Sequence, residues 1–101
     1  MTPAEVLRRA AARIRVPGQW TQGALAREAD GTSVSTTSRY ATCWCAEGAI
    51  EVEGGACTGA LIALEHELGR IPHRWNDDRG RTADEVADAM ERAAAKLEAG
   101  Q

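Results

Sequence analysis

The apolar residues near the start of the chain recur with the period of an α-helix. Because that period is 3.6 residues, positions three and four apart share one face. Thr2 can cap the first turn, Pro3 suits the first helical position, and Glu5 completes a capping box. The sequence therefore predicts a first helix that ends at Pro17-Gly18. Its predicted buried stripe consists of Val6, Leu7, Ala10, Ala11 and Ile14.

The end of the chain carries the same two signals. Thr82-Ala83-Asp84-Glu85 forms a second capping box, the clearest in the sequence. The apolar residues that follow it keep helical spacing, so we predict a last helix here. Its predicted buried stripe consists of Val86, Met90, Ala93, Ala94 and Leu97.

A second helix is predicted from Ser38 or Arg39 to about Glu53. Six residues in this stretch fall on one continuous helical face. Gly48 lies on that face and permits another backbone to approach closely. The Gly54-Gly55 pair then ends the helix. The six residues of the face are Ala41, Trp44, Cys45, Gly48, Ala49 and Val52.

A third helix is predicted from about Cys57 to Leu68, with Gly69 as its C-cap. Leu61, Ile62, Leu64 and Leu68 are expected to point inward. The segment from Ile71 to Gly80 contains Pro, Asn, Asp and Gly, so we predict a loop there.

The stretch from Trp20 to Val34 gives a mixed signal. Asp30-Gly31 is a strong hairpin turn pair, and the residues after it suit an extended strand, which favours a small two-stranded ribbon. A Ser/Thr-rich loop from Ser33 to Ser38 then leads to the second helix. The predicted fold class is mainly α: a compact four-helix domain with an irregular or short β-hairpin insertion between helices 1 and 2.

The composition indicates one globular domain over residues 1–101. Hydrophobic residues make up 44% and charged residues 27%, which is typical of a folded chain. The net charge of −3 argues against direct nucleic-acid binding, because phosphate contacts need clustered positive charge. No run of about 18 apolar residues and no signal peptide occur, so we expect neither a membrane span nor export. Three cysteines without an export signal indicate reduced thiols in a cytoplasm.

Three short clusters hold all three tryptophans and two of the three cysteines. They run from Trp20 to Ala26, from Cys43 to Ala49 and from Trp75 to Thr82. A small protein that concentrates these residues in three segments is expected to bring the segments together in space.

Two interpretations of these clusters are open. In the structural one, Trp20 and Trp75 anchor their loops, Gly23 lets a backbone pass closely, and Asn76 and Asp77 satisfy turn and helix-start amides. In the functional one, the carboxylates that follow Trp75 bind a cation or a basic partner.

The cysteines and histidines do not form a recognisable metal site. On a helix, Cys43 and Cys45 would point about 200° apart and could not converge on one ion. Cys57, His66 and His73 add ligand types but not the spacing of structural zinc sites. We therefore expect no metal, and the sequence contains no motif for a cofactor.

A cysteine nucleophile is an alternative hypothesis. Cys45 or Cys43 near a helix N-terminus would have a lowered thiol pKa, which favours reactivity. His66 or His73 would act as the base. The loop Trp75-Asn76-Asp77 would complete the pocket, with Asn76 or Asp77 orienting the base.

The three clusters resemble those of a family of small, uncharacterised bacterial and phage proteins. In that family a W-x-Q-G-x-x-A segment, a C-x-x-G-A helix and a W-N-D loop occur in this order. The likeness extends from about Val6 to Ala94, and the chain departs from the usual form near Arg39 and Tyr40. The resemblance implies kinship rather than a reaction. It points to Trp20, Gln22, Gly23, Cys45, Gly48, Trp75, Asn76 and Asp77.

We therefore predict a non-enzymatic cytoplasmic protein that acts by binding another protein. A phage origin would make inhibition of a host defence system, such as a CRISPR effector, the expected role. In an electrostatic version, acidic residues occupy a basic nucleic-acid channel of the partner. Those residues are Glu51, Glu53, Asp77 and Asp78. A further alternative is a homodimer in which the alanine-rich last helix packs against its copy.

Overall fold

A computed structural model describes residues 1–55 and 57–100. Ala56 and Gln101, which the predicted domain includes, lie outside this range. Within it the chain forms five helices and two short strands, and the prediction of a mainly α fold is confirmed. The elements are α1 Pro3–Arg15, β1 Ala26–Glu28, β2 Ala41–Trp44, α2 Ala46–Gly54, α3 Thr58–Leu68, α4 Pro72–Asn76 and α5 Ala83–Glu98.

Helices α1 and α5 form the centre of the fold and pack against each other along their length. Both begin with the predicted capping boxes, at Thr2 with Glu5 and at Thr82 with Glu85. Their buried stripes are also as predicted, except that Leu97 is only partly buried. The largest fully buried apolar side chains of the core are Leu7, Ile14, Ile50, Leu64, Met90, Val6 and Val86.

The β-structure differs from the predicted ribbon in its pairing. β1 pairs antiparallel with β2, with Ala26 opposite Trp44. The turn at Asp30-Gly31 is present, but the strand after it forms only an isolated bridge, between Arg27 and Ser33. The partner of β1 is therefore remote in sequence, which a local turn signal does not reveal.

The predicted start of the second helix at Ser38 or Arg39 is wrong. Ala41–Trp44 is the strand β2, and helix α2 begins at Ala46. Cys45 is its N-cap: its backbone is extended, and its Sγ accepts from the Gly48 N–H at 3.4 Å. Cysteine is not a usual capping residue, so the sequence gives no capping signal at the point where the strand ends and the helix begins.

Two further predictions need correction in the segment after α2. Ile62 of α3 does not point inward, since 51% of its surface is exposed, whereas Ala60 and Leu64 are buried. The predicted loop at residues 71–80 begins with the short helix α4, in which Pro72 occupies the first position. None of the helices in residues 1–55 and 57–100 has the length and apolarity that crossing a bilayer requires.

Candidate functional site

The three tryptophan-bearing clusters meet at the side chain of Asn76, which is fully buried. Its Oδ1 accepts from the indole Nε1–H of Trp20 at 2.7 Å and from the backbone N–H of Ala46 at 3.1 Å. Its Nδ2 donates to the carbonyl oxygen of Thr21 at 3.1 Å and to Oδ1 of Asp77 at 3.0 Å. Both atoms of the buried amide are therefore satisfied, and one side chain links all three clusters.

The loop before β1 is held to the end of α4 by three more hydrogen bonds. Nε2 of Gln22 donates to the carbonyl oxygens of Asn76 and Asp78, at 2.9 and 3.0 Å. The backbone N–H of Gly23 donates to Oδ1 of Asp77 at 3.0 Å. Gly23 has φ +81°, a conformation that residues with a Cβ rarely adopt. We call these residues the Asn76 junction: Trp20, Gln22, Gly23, Ala46, Asn76 and Asp77.

Gly48 places the first turn of α2 directly against the same loop. A Cβ built on Gly48 would lie 1.9 Å from the carbonyl oxygen of Leu25, far inside van der Waals contact. That carbonyl also accepts from the backbone N–H of Cys45 at 3.1 Å. The loop backbone thus crosses the start of α2 at a distance that only glycine allows.

Each indole has its own partner. Nε1 of Trp44 donates to the carbonyl oxygen of Thr36 at 3.1 Å, and the Arg13 guanidinium lies 4.5 Å from the Trp44 ring centroid. The Arg81 guanidinium lies 3.6 Å from the ring centroid of Trp75. Cation–π contacts of this kind add about 0.5–2 kcal/mol each. The tryptophans are therefore used to fix their segments in the fold.

Cys45 has an environment that disfavours nucleophilic chemistry. Burial raises the pKa of Cys45 from 9.0 to about 11, and the nearby carboxylates of Glu47 and Asp77 act in the same direction. The backbone N–H of Gly48 opposes this shift but does not overcome it. The sequence-based expectation of a lowered pKa at this helix N-terminus is wrong for Cys45, because burial outweighs the helix dipole. Cys43, Cys45 and Cys57 are free thiols within the part of the chain that the structure describes.

The two histidines lie on different elements, His66 on α3 and His73 on α4. Nδ1 of His73 lies 3.1 Å from Oε1 of Glu47, and its carbonyl oxygen accepts from the backbone N–H of Asp77. His66 lines a groove between α3 and α5. In residues 1–55 and 57–100, no three His, Cys, Asp or Glu side chains are grouped so that they could hold a metal ion.

Four acidic residues that the sequence suggested for partner binding are engaged within the chain. Asp78 forms ion pairs with Arg70 and Arg81, which lower its pKa. The other three contact different groups. Asp77 accepts from Gly23 and Asn76, Glu51 accepts from the hydroxyl of Thr36, and Glu53 pairs with Arg13.

An open apolar groove lies between α3 and α5, a feature that the sequence did not predict. Its volume is about 430 Å³. We call it the α3–α5 groove and define it by Gly59, Ile62, Ala63, Ala93 and Leu97, with His66, Glu67 and Lys96 at its rim. The signal that could have revealed it is the small residues at positions 59 and 63 on one face of α3.

The comparisons with known proteins identify a family and no activity. No curated protein matches the chain, and no solved structure matches it. The sequence model of one family covers residues 1–96, nearly the whole chain. The chain therefore belongs to the Family of unknown function (DUF6197).

Proposed function

We propose that this protein is a non-catalytic cytoplasmic protein that binds another protein through an apolar surface. The absence of catalysis is supported by the Asn76 junction. The side-chain amide of Asn76 is bonded there to the indole of Trp20 and to the backbone of Ala46 and Thr21. A catalytic group must be able to contact a substrate, and the buried Asn76 side chain is not accessible to one.

The observation that carries the proposal is the α3–α5 groove. Ile62 stands half-exposed beside a hollow of about 430 Å³ that is lined by apolar or small side chains together with His66, Glu67 and Lys96. An exposed aliphatic residue next to an apolar hollow is the type of surface that buries a hydrophobic anchor of a partner.

The electrostatic version of partner binding has less support. Asp78 and Glu53 are paired with arginines, so their charges are largely neutralised at short range. The overall charge of −3 can still speed encounter with a basic partner. We propose that the partner is a host defence effector, which the protein would inhibit. We propose further that the partner binds at the groove rather than at these carboxylates.

Photo-crosslinking tests the proposed function. We would replace Ile62 with p-benzoylphenylalanine and, as a matched control, make the same replacement at Ile71, the N-cap of α4, which is 41% exposed. We expect a discrete protein adduct from position 62 and none of that mass from position 71. Identical adduct patterns at both positions, or no adduct at position 62, would contradict the proposal.

The same experiment separates the homodimer hypothesis. An adduct with the mass of two copies, together with a concentration-dependent mass in light scattering, would assign the surface to self-association. The cysteine-nucleophile alternative has less support. Cys45 is buried with a raised pKa, and Cys43 lies in strand β2, where its Sγ donates to the carbonyl oxygen of Arg27 at 3.8 Å.

A further inference from the structure

No further inference is drawn: the strongest candidate, the apolar α3–α5 groove beside Ile62 and Leu97, belongs to the surface already described, and nothing in the structure shows what covers it.

Discussion

The Asn76 junction and the α3–α5 groove differ in how completely the chain satisfies its own groups. At the junction, a buried amide and the backbone groups around it are bonded to one another, and a glycine lets two backbones approach closely. At the groove, apolar side chains border open space, and Ile62 stays half-exposed. The first region is complete without a partner, whereas the second gains contacts only if something binds there.

This difference shows why uncommon residues are a poor guide to function in this chain. The residues that attract attention in the sequence are tryptophans, cysteines and the Asn-Asp pair, and the structure uses them to connect loops to helices. The open groove is formed mainly by common residues, namely Gly, Ala, Ile and Leu, together with His66, Glu67 and Lys96. Polar groups that are buried must be bonded to one another, so a dense polar cluster is often architectural.

The largest expected effect is that of Asn76→Ala. This change leaves the buried Ala46 amide and the part-buried Trp20 indole and Thr21 carbonyl without their partner. Each unsatisfied buried group costs about 1–3 kcal/mol, so we expect a loss of about 3 kcal/mol or more in the free energy of unfolding. Urea denaturation measures it. Gln22→Ala, at a half-buried position that water can reach, should cost about 1 kcal/mol, and equal losses for the two variants would contradict the central role of Asn76.

Gly48→Ala is expected to destabilise the protein by about 2–3 kcal/mol. The new Cβ would collide with the carbonyl oxygen of Leu25, and backbone cannot move aside as a flexible side chain can. Gly59→Ala is the matched change in α3, where the Cβ would approach the side chain of Pro3, with Cγ at 3.0 Å and Cβ at 3.6 Å. We expect Gly59→Ala to alter stability by about 1 kcal/mol at most, because the gain in helix propensity offsets the tight contact. The comparison fails if the thermal unfolding midpoints of the two variants coincide.

The raised pKa of Cys45 predicts a loss of stability in alkaline solution. Below pH 9 the thiol is protonated in both the folded and unfolded states, and its contribution is complete. Between pH 9 and 11 the unfolded state ionises first, so the free energy of unfolding falls by about 2–3 kcal/mol across this window. Cys45→Ala should remove this part of the pH dependence. A parallel decline in the variant and the original protein would show that other groups cause it.

The pKa of Cys45 also predicts slow alkylation of the native protein. At neutral pH this buried thiol should react with iodoacetamide only when the structure opens, and therefore more slowly than the half-buried Cys43. Mass spectrometry of peptides after timed labelling distinguishes the two sites. Rapid labelling of Cys45 would contradict this prediction and support the hypothesis that Cys45 is a nucleophile.

The smallest expected effect on stability is that of Ile62→Glu, within about 0.5 kcal/mol. Ile62 is exposed at the groove, and glutamate is a better helix former than isoleucine. Leu64→Ala, two residues along the same helix but fully buried, should cost about 2–5 kcal/mol. Denaturation of the two variants checks which face of α3 is in the core. A large loss from Ile62→Glu would contradict the groove as an open surface.

The sequence was sufficient for elements whose signals are local. Both capping boxes lie beside long amphipathic stripes, and α1 and α5 begin where these signals indicate. Helix α3 was predicted in position, and of its expected inward residues Leu64 is buried and Leu61 and Leu68 pack against the core. The prediction was wrong for Ile62, because nearly all of the middle residues of α3 are apolar and no periodic pattern selects a face. Its packing against α1 and α5 decides that Ala60 and Leu64 are buried.

The parts that the sequence did not reveal depend on contacts between remote segments. β2 is a strand because it pairs with β1, and its residues otherwise fit a helical pattern. Asn76 accepts from residues that are 56 and 30 positions away in the chain. No spacing rule detects such a connection, although the concentration of tryptophans in three clusters indicated that the segments meet. The α3–α5 groove is likewise a product of two helices and has no motif of its own.

A double-mutant cycle between Trp20 and Asn76 tests the central claim most directly, that the clusters are joined by this buried amide. Trp20→Phe removes the Nε1–H donor, and Asn76→Ala removes its acceptor. If the 2.7 Å hydrogen bond links the two segments as described, the two single variants together lose more unfolding free energy than the double variant does. We expect the sum of the single losses to exceed the double-variant loss by about 1 kcal/mol or more. Additive losses would contradict the account.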